Sequence, residues 1–292
     1  MASVVKIGHV SLRTSDLDRM VAYYTEVLDF DLVDRGADAA YLAADIDHHC
    51  VAIMRAPAAE PVHLAFQIAG SIEDAEADLA KRGIAAERRT DPEPGIGALL
   101  RICDPEGNPL DLYPEIEHRR QRSATRRPQK LGHVCYFVGD VGRTVDFYRE
   151  VLGFRWSDSI GDFFVFLRCA ADHHTINLLR SDRPRRIHHI AYEMRDVSHV
   201  QQALDALGAT TEHKVVWGPG RHGPGHNLFS YHRDPDQTTV ELFTQLDVML
   251  DERLGYYEPR PWHEDSPQRP KVWQPGPWVG NAWGPPAPEG FR

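Results

Sequence analysis

The sequence predicts an α+β fold made of tandem βαβββ modules, two in each half of the chain. Three observations carry that expectation. The first is size: 292 residues suffice for two domains, and 42% apolar residues let each bury a core. The second is pattern, since each half reads as short apolar strands and two amphipathic helices. The third is an internal repeat. Gly8-His9-Val10 recurs as Gly132-His133-Val134, and the run from Tyr23 to Phe30 (YYTEVLDF) recurs from Phe147 to Phe154 (FYREVLGF), both displaced by 124 residues. Asp47-His48-His49 matches Asp172-His173-His174 at 125, and His63-Leu64-Ala65-Phe66 matches His189-Ile190-Ala191-Tyr192 at 126. Asp104-Pro105 and Asp111 match Asp234-Pro235 and Glu241 at 130. Chance can supply one such match; a collinear series with a slowly growing offset means duplication.

Taken in order, each half opens on a short apolar strand that carries its first histidine. A helix then starts near Ser15-Asp16 or Asp140, residue types that cap the free N–H groups of a first turn. Leu17, Met20, Tyr24 and Leu28 keep helical spacing, as do Val141, Val145, Tyr148 and Leu152. Phe163–Leu167 and Thr175–Leu179 alternate and read as strands. Second helices are expected over Ile72–Lys81 and Val197–Leu207, each ended by a glycine, Gly83 and Gly208, which takes the left-handed conformation without steric cost. A strand beyond the Asp-Pro turn closes each half. Domains are therefore expected at residues 1–115 and 131–246.

Between them, residues 116–130 are basic, with Arg119, Arg120, Arg122, Arg126 and Arg127. An anion site is one reading; a solvated linker is the expectation. Residues 247–292 form a third zone, where nine of the 21 prolines lie between Pro259 and Pro288 beside Trp262, Trp273, Trp278 and Trp283. Proline enrichment alone reads as disorder. Four large aromatics offer burial, so an extended arm packed over the body is expected, a candidate active-site lid.

Composition excludes several classes. A net charge of −10 disfavours binding driven by phosphate neutralisation, so no nucleic-acid partner is expected. No apolar run approaches the roughly 18 residues of a membrane span. The opening residues show no basic stretch followed by a long apolar one, and the four cysteines form no C-x-x-C pair. A reduced, cytoplasmic chain is expected.

The 16 histidines stand out. In the second half the repeat points to His133, His189 and Glu241. Two imidazoles and one carboxylate on one face of a metal leave open positions, the arrangement of non-haem Fe(II) oxygenases. Each His singly is more often a satisfied core group, and ligands about 50 residues apart cannot be established by spacing. His173 and His188 are expected to be structural, since neighbours on a strand alternate faces. His118, His199, His213, His232 and His263 are expected at the surface. Residues 218–225 resemble a phosphate loop only superficially, lacking the Lys-Ser/Thr and helix that would follow.

The stretch 218–245, GPGRHGPGHNLFSYHRDPDQTTVELFTQ, resembles the vicinal oxygen chelate superfamily, and within it the two-domain type I extradiol catechol dioxygenases. It is most similar to the homoprotocatechuate 2,3-dioxygenase branch, and the likeness covers nearly the whole chain. The resemblance implies that each domain curls one sheet into a barrel-like form with helices outside, the first non-catalytic and the second metal-binding. It implies Fe(II), with Mn(II) equally suited to the ligands, held by His133, His189 and Glu241. It places His174 on the acid/base histidine, His222 on the histidine near a substrate hydroxyl, and Tyr231 on the tyrosine that contacts a catechol oxygen. The implied reaction opens a catechol beside the diol with both atoms of O2, and relatives imply a homo-oligomer, dimer or tetramer. His174 is expected to titrate near neutrality. Trp217, His226 and Cys135 are candidates for lining the substrate pocket, with packing the commoner role for such a cysteine.

The first half keeps His9, His63 and Asp111 at the ligand positions and His49 at that of His174. It lacks a counterpart of His222, and Arg101 stands where Tyr231 would be. A cation there opposes a metal, so a vestigial, metal-free site is expected. Relatives that cleave homoprotocatechuate place an Arg where this chain has Trp217, and further Arg residues where Val279-Gly280-Asn281-Ala282 precede Trp283. Both departures favour an uncharged, monocyclic catechol. A metal-dependent glyoxalase-type isomerase and a metal-free small-molecule binder share the fold and remain the alternatives.

Overall fold

The computed structural model describes residues 2–122, 126–184, 186–251, 256–258 and 269–291. Trp262 and His263 lie outside them. The chain divides into two compact units, Met1–Leu131 with Gly142–Phe154, and Gly132–Val141 with Arg155–Arg292.

In the first unit the order is β1 (Val4–Thr14), α1 (Leu17–Ala22), β2 (Asp31–Arg35), β3 (Ala39–Ala43), β4 (Val51–Arg55), β5 (Glu60–Ile68), α2 (Ile72–Lys81), β6 (Glu87–Glu93), β7 (Ile96–Cys103) and β8 (Pro109–Tyr113). They form one curved sheet ordered β2-β3-β4-β1-β5-β8-β7-β6. Each βαβββ module closes by pairing its last strand parallel to its first, β4 on β1 and β8 on β5. The two modules meet where β1 and β5 run antiparallel.

The rest of the chain repeats this. It runs β9 (Lys130–Val138), α3 (Val141–Glu150), β10 (Arg155–Ile160), β11 (Phe164–Arg168), β12 (Ile176–Arg180), β13 (Arg186–Glu193), α4 (Val197–Ala209), β14 (Val215–Arg221), β15 (Leu228–Arg233) and β16 (Thr239–Thr244). Again the last strand of each module lies parallel to the first, β12 on β9 and β16 on β13. A ninth strand, β19 (Lys271–Trp273), extends the edge by pairing with β10, whereas β17 (Val248–Asp251) and β18 (Tyr256–Glu258) form a separate ribbon. No helix among the described residues is long and apolar enough to cross a membrane.

Local chemistry explains the helix ends. Asp16 caps α1 by accepting from the Arg19 N–H, Ser71 caps α2 from Asp74 N–H, and Asp196 caps α4 from His199 N–H. Gly83, at φ +70°, follows α2 as expected. Gly208 does not stop its helix: α4 runs on to Ala209, and Thr210 ends it by donating both N–H and hydroxyl to Leu207 O. The first helix changes pitch, its last turn from Tyr23 to Val27 being π-helical.

Three other expectations change. Gly142–Phe154, assigned by sequence to the second domain, packs in the first unit: the Val4 N–H bonds Leu152 O, Arg82 bonds Glu150 O, and Phe66 meets Phe154 edge-on. The basic segment is no solvated linker. Arg127 is buried and donates to Asp31, while Arg119 and Arg122 also reach Asp31 and Arg126 donates to Glu26 O and Val27 O, so these cations tie the segment to the last turn of the first helix and the start of β2. Among the supposedly superficial histidines, His199, His213 and His232 are buried. His199 is accommodated by the same Asp196 that caps α4, and His213 by Arg233 O.

Candidate metal centre and active site

His133 comes from β9, His189 from β13 and Glu241 from β16, strands that lie side by side in the second sheet. Their positions are set by glycine and aromatic packing as well as by pairing. A Cβ on Gly132 would lie 2.3 Å from the Phe243 ring, so only glycine lets that ring sit 5.0 Å from the His133 imidazole. All three side chains are buried.

The three donor atoms converge. His133 Nε2 lies 3.2 Å from His189 Nε2 and 3.1 Å from Glu241 Oε2, and His189 Nε2 lies 3.2 Å from the same oxygen. Ligands about 2.1–2.2 Å from one divalent ion and about 90° apart are separated by roughly 3.0–3.1 Å. The set therefore has the span of one face of an octahedron. Its protonation suits a cation: burial, then the imidazoles of His188 and His133, push His189 well below its ordinary value, so its ring is neutral. Burial works against the Glu241 carboxylate, but His133, His222 and Tyr231 together outweigh it and hold the group below the usual range.

Around this face stand the other expected groups. His222 stacks on Phe229 at 3.8 Å, its Nδ1 donates to Gly280 O at 2.6 Å, and its Nε2 is 3.0 Å from the Tyr231 hydroxyl. With Nδ1 carrying the proton, Nε2 is left to accept from Tyr231. Burial, then the Glu241 charge, raise the Tyr231 phenol well above its ordinary value, so it remains a donor. His174 is held by His173, Nδ1 to Nδ1 at 2.9 Å, and His173 in turn by Asp158 at 3.1 Å. His188 holds His189 in the same way at 2.6 Å and bonds Phe291 O at 3.0 Å. The neighbouring histidines expected to face away thus hold the candidate ligand His189 and the candidate acid/base group His174 in place. His174 does not sit near neutrality: burial and the surrounding imidazoles push it well below 6.5.

One cavity joins these residues. Its walls include His133, His174, His189, His222, Tyr231 and Glu241, with Trp217, Phe164, Phe166, Val279, Ala287 and Phe291. Trp217 stacks on Tyr231 at 5.4 Å and is fixed by its indole N–H to Pro285 O. Two of the three proposed substrate contacts fall elsewhere. Cys135 is packed behind the wall with Phe137 and Leu179, and His226 is turned into a buried pair with Asp247 beside Trp273. No lysine or arginine is among the described lining residues.

The arm takes part, but not through its tryptophans. Trp278 and Trp283 are exposed, Trp283 lying against the Arg221 guanidinium, while Trp273 donates to Asp158. The small or late residues Val279, Gly280, Ala287 and Phe291 face the cavity instead. Their signal was faint in the sequence: Phe291 is a lone apolar residue in a Pro-Gly segment.

The Glyoxalase/Bleomycin resistance protein/Dioxygenase superfamily matches residues 6–112 and 130–242. A manganese-dependent 2,3-dihydroxybiphenyl 1,2-dioxygenase from Geobacillus genomosp. 3 is 26% identical over 302 residues, 93% of this chain and 94% of that protein. Among solved structures, a Mn(II)-bound glyoxalase from Novosphingobium aromaticivorans is 27% identical with a TM-score of 0.85, covering 97% of this chain and 92% of the other. Homoprotocatechuate 2,3-dioxygenase from Arthrobacter globiformis is 25% identical with a TM-score of 0.83, covering 97% and 88%. With both halves matched, this chain belongs to the Glyoxalase/Bleomycin resistance protein/Dioxygenase superfamily.

Proposed function

We propose that the chain is an extradiol dioxygenase that opens uncharged, monocyclic catechols in aromatic catabolism. The observation that carries this is the convergence of His133, His189 and Glu241 at 3.1–3.2 Å in a cavity that also holds Tyr231, His222 and His174. Full-length relatives with dioxygenase names support it.

His133, His189 and Glu241 would hold Fe(II), or Mn(II), which when bound lowers the pKa of a catechol hydroxyl and brings the diol and O2 together. The neutral His174 ring can take a proton from a substrate hydroxyl and return it as the ring opens. With substrate bound, Tyr231 would turn its one proton from His222 Nε2 to a catechol oxygen that gains ketone character, an electrostatic stabilisation that needs that proton in place. His222 sets the Tyr231 hydroxyl, its own proton being fixed by Gly280 O. Trp217, Phe164, Phe166 and Phe291 flank the ring and exclude water. Without a cation in the described walls, a substrate carboxylate would lose its hydration unpaired, a cost of several kcal/mol at least.

The test is dioxygen consumption by the Fe(II)-loaded chain, with a yellow ring-opened product, over a panel of catechols. Turnover of 3- and 4-methylcatechol above that of homoprotocatechuate is expected; the reverse order overturns the substrate assignment. No oxygen uptake with any catechol would favour the isomerase or the binder. Homo-oligomerisation belongs to the same proposal and is read by light scattering.

A further inference from the structure

The first unit contains a second convergence of metal-binding groups, displaced from the inherited one. His63 and Asp111, the counterparts of His189 and Glu241, are not available to a metal. Arg101 donates to Asp111 from Nε at 2.7 Å and Nη2 at 2.5 Å, and the same Nη2 lies 3.3 Å from His63 Nε2. His63 is also 2.9 Å from Asp111 and 3.0 Å from the Ser11 hydroxyl. The guanidinium fills the position that a cation would have occupied and neutralises its carboxylate.

His9, the counterpart of His133, is thereby left without its old partners. Its side chain is fully buried, its Nδ1 makes no hydrogen bond among the described residues, and its Nε2 faces the Glu93 carboxylate. A buried ring nitrogen left without a hydrogen bond is destabilising. Its Nε2 lies 3.1 Å from Glu93 Oε1, and His49 Nε2 lies 3.8 Å from Glu93 Oε2. His49 Nε2 is likewise buried and unbonded, while its Nδ1 is held by His48 Nδ1 at 3.1 Å, the same device that aims His174 and His189. Glu93 ends β6, on the hairpin equivalent to the one that carries His222.

We propose that His9, His49 and Glu93 form a binding site for a divalent first-row transition cation in the first unit. Two imidazole nitrogens and a carboxylate are the donors such ions take. The His9–Glu93 spacing already matches two ligands on one ion, and rotation of Glu93 brings its other oxygen and His49 into range. Glu93 keeps 12% of its side chain exposed and lies on a groove whose wall includes Asp91, Glu115 and Glu117 and no described lysine or arginine. That acidic groove gives a cation its entry. Arg101 does not oppose it as a free charge would, because Asp111 balances it. The bound ion would tie the β6–β7 hairpin to β1. This inference stands apart from the dioxygenase reading.

The test uses Zn(II) and Co(II) alone, with metal analysis after removal of excess ion. Two equivalents per wild-type chain are expected, one in Glu241→Ala, and none in Glu241→Ala combined with Glu93→Gln. Co(II) bound to Glu241→Ala should give visible absorption bands that the double variant loses. Glu93→Gln alone should keep its catechol-dependent oxygen uptake, which shows that it folds. Should Glu93→Gln fail to fold, Zn(II) must still raise the melting temperature of Glu241→Ala by several degrees. One equivalent in wild type, or a Zn(II)-insensitive melting temperature in Glu241→Ala, overturns the proposal.

Discussion

The two units place the same pair of positions in the same register and put opposite chemistry there. In the second unit Tyr231 pairs across the sheet with Glu241; in the first, Arg101 pairs with Asp111. The flanking strand presents Ala191 to Glu241 and Ala65 to Asp111. Backbone geometry is therefore shared, and one side chain decides the outcome. A neutral phenol brings no charge, so the carboxylate still faces two histidines, whereas a guanidinium claims it. The lesson is that duplicated sheets conserve where donors stand, but not what they bind.

The largest effect that sharpens this comparison comes from truncating the matching carboxylates. Glu241→Ala should cut catechol-dependent oxygen uptake more than about 100-fold, beyond the usual loss from removing a partner that only supports a ligand. Its metal content should fall with it. Asp111→Ala should leave turnover per folded chain unchanged but cost about 3 kcal/mol, because Arg101 loses the partner of a largely buried pair. Denaturant unfolding reads that cost. Next, Tyr231→Phe should lower kcat about 100-fold while bound metal stays constant; a loss of metal instead would make Tyr231 a structural prop of Glu241.

A smaller effect follows from acid. Burial acts to raise the Asp111 carboxyl, but Arg101 and His63 outweigh it and hold it far below the ordinary carboxylate range. A folded value below the unfolded one gives stability that is present above about pH 4 and lost as pH falls towards the folded value. Asp111→Asn should remove that dependence, so its unfolding free energy should fall less steeply below pH 4 than that of wild type. The smallest effect concerns the helix caps. Asp16→Ala should cost about 1 kcal/mol, and both it and Asp196→Ala should lower Tm without altering turnover.

Much of this was legible in the sequence because it rests on local or repeated signals. The offsets reveal the duplication, the apolar spacing and caps reveal α2 within its observed bounds, and the repeat places His133, His189 and Glu241 together. What escaped depends on tertiary choices. Glycine propensity suggested a stop at Gly208, yet a capping threonine two residues later prevailed. Gly142–Phe154 looks like part of the second copy by sequence, but its apolar face is buried in the first unit. The pairing of His9 with Glu93 has no sequence signal, since only folding brings the end of β6 to β1. Tryptophans marked the arm as packed, although the cavity is closed by Phe291 and Val279, which composition does not single out.

The most direct test of the account compares three Fe(II)-loaded chains on 3-methylcatechol in an oxygen electrode: wild type, Glu241→Gln and Asp111→Asn. The account predicts rapid oxygen uptake by wild type and by Asp111→Asn, with uptake by Glu241→Gln reduced to background. Undiminished uptake by Glu241→Gln, or its loss in a folded Asp111→Asn chain, would contradict the assignment of ring opening to the second unit.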